Sequence, residues 1–300
     1  MRILVTGGAG FIGSHVVQHY QGKADIRVLD NLRTGYIENL DSLDCEFIEA
    51  SILDRDALKQ AMKGVDYVFH LAALISVPES MEKPHECVEL NITGLLNVLD
   101  AAKEAGVKKL VFASSAAVYG DNPTVPKVES MNPEPRSPYA ITKLDGEYYC
   151  DLWNREGWLN TACLRFFNVF GPRQDPDSAY AAAVPIFIDR ARKESSIMIY
   201  GDGEQTRDFI YVKDIAAGLA FAAETEAVSG ANNIGYGGSI TIKDLASKIV
   251  ELTHSSSEIK HAPVRAGDVK HSRASAAKLA QAGWKPLFGF EEGLAETLND

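Results

Sequence analysis

The stretch Gly7-Gly8-Ala9-Gly10-Phe11-Ile12-Gly13 leaves this chain few folds to choose from. An apolar run, Arg2-Ile3-Leu4-Val5-Thr6, precedes it, and an amphipathic segment reaching about Tyr20 follows. Strand, glycine turn and helix in that order open a βαβ unit. Gly8, Gly10 and Gly13 fit GxGxxG, while Gly7, Gly10 and Gly13 fit GxxGxxG. The glycines allow a tight turn and close backbone approach to a pyrophosphate, with amides at a helix N-terminus facing the charge. Glycine-rich turns are common, so the motif draws its weight from lying between a strand and a helix.

The next apolar run, Asp25–Asp30, ends in an acid at the distance used for a ribose contact. A carboxylate there accepts from ribose hydroxyls and repels a 2′-phosphate, which favours NAD over NADP. Arg33, three residues on, can soften that preference. Cys45–Ala50, Tyr67–Leu71 and Lys109–Ser114 read as further strands, separated by helical stretches near Asp54–Met62 and Cys87–Glu104. Alternation of this kind predicts an α/β fold with a doubly wound parallel sheet, whose ligands collect at the carboxyl ends of the strands. Those ends carry small residues, among them Ala50-Ser51, Ala72-Ala73 and Ser114-Ser115, which leave room for a flat cofactor. After a sixth strand, Asn160–Arg165, short elements follow, consistent with a smaller lobe closing over a substrate; Glu291 to Asp300 reads as a final helix.

Charge and cysteine usage exclude several classes of partner. A formal net charge of −11 argues against nucleic acid or an anionic membrane surface. No apolar run is long enough to span a bilayer, and the first residues enter a strand directly rather than a signal-peptide layout. Cys45, Cys87, Cys150 and Cys163 are scattered with no CxxC, so a reducing cytoplasm is expected. His15 and His19 have i,i+4 spacing but no accompanying glutamate or third ligand, so no metal is expected there.

Ser137-Pro138-Tyr139-Ala140-Ile141-Thr142-Lys143 carries the chemistry. Pro138 after Ser137 suits a helix start, and Tyr139 and Lys143 then leave the same helix face one turn apart. An ammonium held against a phenol lowers its pKa from about 10 towards neutrality, giving a general base for a hydroxyl. Taken alone, the pair is better read as a chance pairing on an ordinary exposed helix.

The whole set reads otherwise. The glycine loop, Asp30, His70-Leu71-Ala72-Ala73, Asn91-Ile92-Thr93-Gly94, Ser114-Ser115, Tyr119-Gly120 and Tyr139–Lys143 resemble the extended short-chain dehydrogenase/reductase superfamily. Arg165 through Gln174, Gly201-Asp202-Gly203 and Thr206 through Val212 resemble its nucleotide-sugar epimerases. The resemblance implies catalysis by Ser115, Tyr139 and Lys143. It implies an NAD site formed by Gly7, Gly10, Phe11, Ile12, Gly13, Asp30, Asn31, Arg33, Thr34, Gly35, Ser51, Ile52, Leu71, Ala72, Ala73, Asn91, Ala113, Tyr139, Lys143 and Phe166. For a UDP-sugar it implies Ser76, Ser115, Asn168, Gln174, Val184, Met198, Tyr200, Arg207, Arg265, Asp268 and Ser272. Ser51 stands where the family usually has an adenine-binding aspartate, and Ile52 remains to pack against the base.

By the same resemblance, residues 1–167 form a Rossmann domain with returning segments from about 205–235, and residues 168–300 are mainly the UDP-sugar lobe. A homodimer through a four-helix bundle of the 87–104 and 139–156 helices is also implied. Related dehydratases carry Asp-Glu after the catalytic serine; Ala116-Ala117 transfer no protons, which leaves oxidation and re-reduction at C4. Small Ser272 stands where strict UDP-glucose/UDP-galactose epimerases often have tyrosine, so the expected pair is UDP-N-acetylglucosamine and UDP-N-acetylgalactosamine, with UDP-glucose and UDP-galactose also admissible. UDP-glucuronate epimerisation, a dehydratase or decarboxylase, and a non-catalytic NAD-binding regulator are the rivals.

Overall fold

The computed structural model describes residues 1–177, 182–264 and 270–299. In chain order the first half runs β1 Arg2–Thr6, α1 Phe11–His19, β2 Asp25–Asp30, β3 Glu46–Glu49, α2 Arg55–Ala61, β4 Tyr67–His70, α3 Val77–Glu82, α4 Pro84–Val88, α5 Gly94–Ala105, β5 Lys109–Ser115, α6 Pro138–Arg155 and β6 Asn160–Phe166. Shorter pieces dominate the rest. They are β7 Asn168–Phe170, α7 Ala183–Arg192, β8 Ile197–Tyr200, β9 Thr206–Arg207, β10 Phe209–Tyr211, α8 Val212–Glu224, β11 Gly230–Ile234, β12 Ile240–Thr241, α9 Ile242–Thr253, β13 Ile259–Ala262, α10 Ala277–Gln281 and α11 Phe290–Leu298. No helix among the described residues is long and apolar enough to cross a membrane.

Seven strands form one parallel sheet in the order β11-β6-β5-β4-β1-β2-β3. The order reverses between β1 and β4, the crevice where ligands of such sheets bind. Successive side chains of β1 serve opposite layers: Ile3 and Val5 pack with α1 and α8, while Leu4 packs with residues of α2 and α5. A third core in the second half joins Phe170, Phe187, Ile199, Phe209, Leu245 and Leu294.

Helix starts follow the sequence closely. Ser137 Oγ accepts from Ala140 N at 3.1 Å, Asp54 Oδ1 from Ala57 N at 2.9 Å and Thr241 Oγ1 from Asp244 N at 2.9 Å. The helix expected over Cys87–Glu104 is instead α4 and α5 joined by a π turn, Glu89–Thr93. That widened turn contains Asn91, whose side chain reaches inward to another loop.

Candidate active site

A cleft of about 870 Å³ opens over the carboxyl ends of β1, β2, β4 and β5, within the size range of cofactor sites. Gly7 sits at φ 74°, and a Cβ there would lie 2.7 Å from Ala72 N. A Cβ on Gly13 would lie 2.1 Å from Gly7 O, so these two positions exclude side chains on steric grounds alone. Asp30 closes the loop: Oδ2 accepts from Ala9 N at 3.0 Å and Oδ1 from Leu32 N at 2.9 Å. A carboxylate has about four acceptor positions, so both oxygens keep capacity for ribose hydroxyls. The glycine cradle, the acid and the cleft volume therefore fit a dinucleotide.

Of the residues assigned to the cofactor, the cleft wall includes all but Asn91. Asn91 is buried at 4% exposure; its Oδ1 accepts from Leu74 N at 2.7 Å, and Nδ2 donates to Leu74 O and to Thr142 Oγ1. It holds the loop after β4 against α6 and is not itself among the residues that line the cleft. Arg33 also differs from expectation. Its Nη2 lies 2.8 Å from Glu79 Oε1 and 2.7 Å from Glu86 Oε1, so the cation that was to soften the NAD preference is matched by two carboxylates. Ser51 Oγ accepts from Leu53 N at 3.2 Å, and Ile52 is buried beside Gly94.

Ser115 ends β5, with its Oγ accepting from Ala117 N at 3.1 Å as Ala116–Tyr119 turn away. Tyr139 and Lys143 stand one turn apart on α6, and all three line the cleft. Lys143 is 4% exposed; its Nζ donates to Ala113 O at 2.7 Å and lies 4.9 Å from the Phe112 ring centroid and 5.8 Å from that of Tyr139. Burial lowers Lys143 to about 8. Burial also raises Tyr139 above the ordinary phenol value, with the Ser115 hydrogen bond pulling the other way. In this geometry the lysine addresses a carbonyl, and desolvation of the phenolate outweighs the serine.

The substrate-side assignments scatter. Ser76 and Gln174 line the cleft; Ser76 also caps α3, and Gln174 Nε2 donates to Val169 O at 3.3 Å while its buried Oε1 has no partner among the described residues. Val184 is 1% exposed inside the third core, on the buried face of α7 that also carries Phe187 and Ile188. Asn168 is exposed between Phe167 and Val169, which do line the cleft. Met198 and Tyr200 occupy the outward face of β8, opposite buried Ile197 and Ile199. Arg207 is half-buried with Nη1 donating to Thr206 O at 2.9 Å, and Ser272 N donates to that same carbonyl at 3.1 Å. With Val184, these make six assigned residues that do not line the cleft. Arg265 and Asp268 fall outside the described residues, as do parts of the stretches around Ala179 and Gly267.

Several wall residues carried no sequence signal of their own. Tyr36 OH donates to Asp175 Oδ2 at 2.8 Å, joining the loop after β2 to the far lip. Arg173, also in the wall, donates through Nη2 to His15 Nδ1 at 3.1 Å. His15 Nε2 lies 3.0 Å from Pro172 O, so this histidine is a buried fastener between α1 and the second half. Behind Ser115, Glu147 and Arg165 form an ion pair in which both side chains are almost fully buried.

A family profile described as "NAD dependent epimerase/dehydratase family" matches residues 3–235. A solved UDP-N-acetylglucosamine 4-epimerase from Methanobrevibacter ruminantium M1, in complex with UDP-N-acetylmuramic acid, superimposes with a TM-score of 0.96 at 43% identity, covering 99% of this chain and 97% of that one. A putative UDP-glucose 4-epimerase of Methanocaldococcus jannaschii is 39% identical over 99% of this chain and 97% of its own length. A UDP-N-acetyl-alpha-D-glucosaminuronate decarboxylase of Bacillus cytotoxicus is 36% identical over 99% of this chain and 96% of its own.

Proposed function

The chain belongs to the NAD-dependent epimerase/dehydratase family, and on that premise we propose that it interconverts UDP-N-acetylglucosamine and UDP-N-acetylgalactosamine, with UDP-glucose and UDP-galactose as a second pair. The carrying observation is Ser115, Tyr139 and Lys143 meeting in the cleft, followed by Ala116 and Ala117, which bear no proton to give or take. Elimination or decarboxylation along the sugar would lack an acid there, although relatives at 36% and 33% identity are decarboxylases. The exposed Met198 and Tyr200 side chains offer a surface for a uracil ring, and small Ser272 supports room for a 2-acetamido group.

Gly7, Gly10 and Gly13 would hold the pyrophosphate of NAD, Asp30 the adenosine ribose, Ile52 the adenine and Lys143 the nicotinamide ribose. Bound there, NAD supplies reversible hydride transfer at the sugar C4. Tyr139 takes the proton of the 4-hydroxyl and returns it after the 4-keto sugar has turned over, while Ser115 hydrogen-bonds that oxygen. Burial holds Tyr139 up, and positive charge entering the cleft would favour its phenolate. Residues 1–167 with returning segments near 205–235 would form the cofactor unit and residues 168–300 most of the sugar lobe. Exposed Ile141, Tyr148 and Leu152, at 46%, 59% and 36%, mark an apolar stripe on α6 that supports a two-fold dimer.

Product analysis on UDP-glucose, UDP-N-acetylglucosamine and UDP-glucuronate tests the reading. Tyr139→Phe should lose roughly 100-fold to 10,000-fold of turnover while still binding NAD. Ser272→Tyr should lose the N-acetylated pair and keep UDP-glucose. A 4-keto-6-deoxy or decarboxylated product, or near-normal turnover by folded Tyr139→Phe, sinks it.

A further inference from the structure

Glu147 and Arg165 are a charged pair that stability alone does not explain. Arg165 Nε donates to Glu147 Oε1 at 2.8 Å and Nη2 to Oε2 at 2.7 Å, with the two side chains 4% and 6% exposed. Burying such a pair costs desolvation that its attraction roughly repays, and an apolar pair of similar volume is often as stable or more so. Two parallel hydrogen bonds, however, fix angle as well as distance.

What they fix is the catalytic spacing. Glu147 is one turn beyond Lys143 and two beyond Tyr139 on the same face of α6. Arg165 lies on β6 opposite Ser114 of β5, in the register that pairs Ser115 with Phe166. Ser114 Oγ donates to Glu147 Oε1, so the residue next to Ser115 is tied to the helix that carries Tyr139. On the other side, Arg165 Nη1 donates to Tyr119 OH at 2.8 Å, and Tyr119 OH donates to Asn233 Oδ1 of β11 at 2.6 Å. Tyr119 ends the short turn that leaves Ser115.

We propose that Glu147 and Arg165 are positioning residues that set the spacing between Ser115 and the Tyr139–Lys143 pair. The proposal rests on the epimerase reading above. Neither side chain itself lines the cleft; Glu147 acts through the wall residue Ser114 and through α6, and Arg165 through Tyr119. Misplacement of about 1 Å costs roughly 100-fold in rate in well-organised sites, so loss of the clamp should appear in kcat.

The test is the double variant Glu147→Met/Arg165→Met in the full-length, NAD-loaded protein, with melting temperature, NAD content, KM and kcat measured. Positioning predicts a melting temperature and NAD content near wild type, KM within about threefold and kcat lowered at least about tenfold. A folded double variant with wild-type kcat overturns the proposal, since packing alone would then suffice. If the double variant does not fold, Glu147→Gln decides: kcat lower by about fivefold or more at unchanged KM supports positioning, and unchanged kcat overturns it. Wild-type protein that turns over no UDP-sugar would overturn the functional reading, and the positioning role with it; active wild type beside a fully active variant overturns the positioning role alone.

Discussion

In the proposed reaction Tyr139 carries two opposed demands, a buried seat and a proton it must give up. In the cofactor-free protein its phenolate should titrate above the ordinary tyrosine value, and NAD should move that titration down. Alkaline difference absorbance of wild type minus Tyr139→Phe, with and without NAD, checks this; an NAD-independent midpoint would contradict it. The i,i+4 spacing of the pair was legible in the sequence because helix geometry is local. The direction of the pKa shift was not, since desolvation depends on what the fold stacks around the ring. The buried packing of Asn91 against Leu74 and of Val184 in the third core was hidden for the same reason: residue type does not reveal which neighbour a side chain faces. His15 gives a second test. It is 3% exposed, and burial with Arg173 nearby lowers it to about 3. The folded ring stays neutral while the unfolded chain takes a proton near 6.5, so stability present above that value is lost as pH falls through it. At about pH 5 this amounts to about 2 kcal/mol. Urea unfolding of His15→Gln should show a correspondingly flatter loss between about pH 7 and pH 5 than wild type, and an identical pH slope would refute the assignment.

Among the elements, the loop after β2 has most to do with cofactor choice. Arg33 is the one cation there that could meet a 2′-phosphate, and Glu79 of α3 and Glu86 of α4 engage it. Glu79→Gln/Glu86→Gln should therefore raise affinity for NADP by roughly fivefold to tenfold and leave NAD little changed, measured by calorimetry on NAD-free protein. Equal NADP binding by variant and wild type would show that Asp30 alone decides. The strands, glycine turn and α6 cap were readable because each depends on a short run of residues. The α3–α4–π-turn segment was not, because its break follows from Asn91 reaching Leu74, a contact between separate loops. The Glu147–Arg165 clamp escaped notice likewise: a glutamate in a helix and an arginine in a strand look solvent-facing until the register brings them together.

For the whole molecule, the parallel sheet was foreseeable from strand–helix alternation, but the placement of the substrate-side residues was not. The short strands β7, β8, β9 and β10 pair across long separations, which no local pattern encodes. The apolar stripe on α6 makes the assembly testable: Tyr148→Glu with Leu152→Glu should halve the mass seen by sedimentation while the melting curve persists. A wild-type monomer would remove the dimer from the proposal.

The return of β11 to the edge of β6 also has a timetable. About 60 residues separate the two strands, so at ribosomal speeds of 5–20 residues per second β6 waits roughly 3–12 seconds for its neighbour. Over that interval its open edge offers unpaired amides and carbonyls, and the sheet face that receives Ile215 and Leu219 of α8 is bare. The nascent chain should therefore be most vulnerable after β1 to β6 have been made and before α8 and β11 emerge. Slow synthesis across residues 167–234 would lengthen that exposure, making this span the one where chaperone protection matters most.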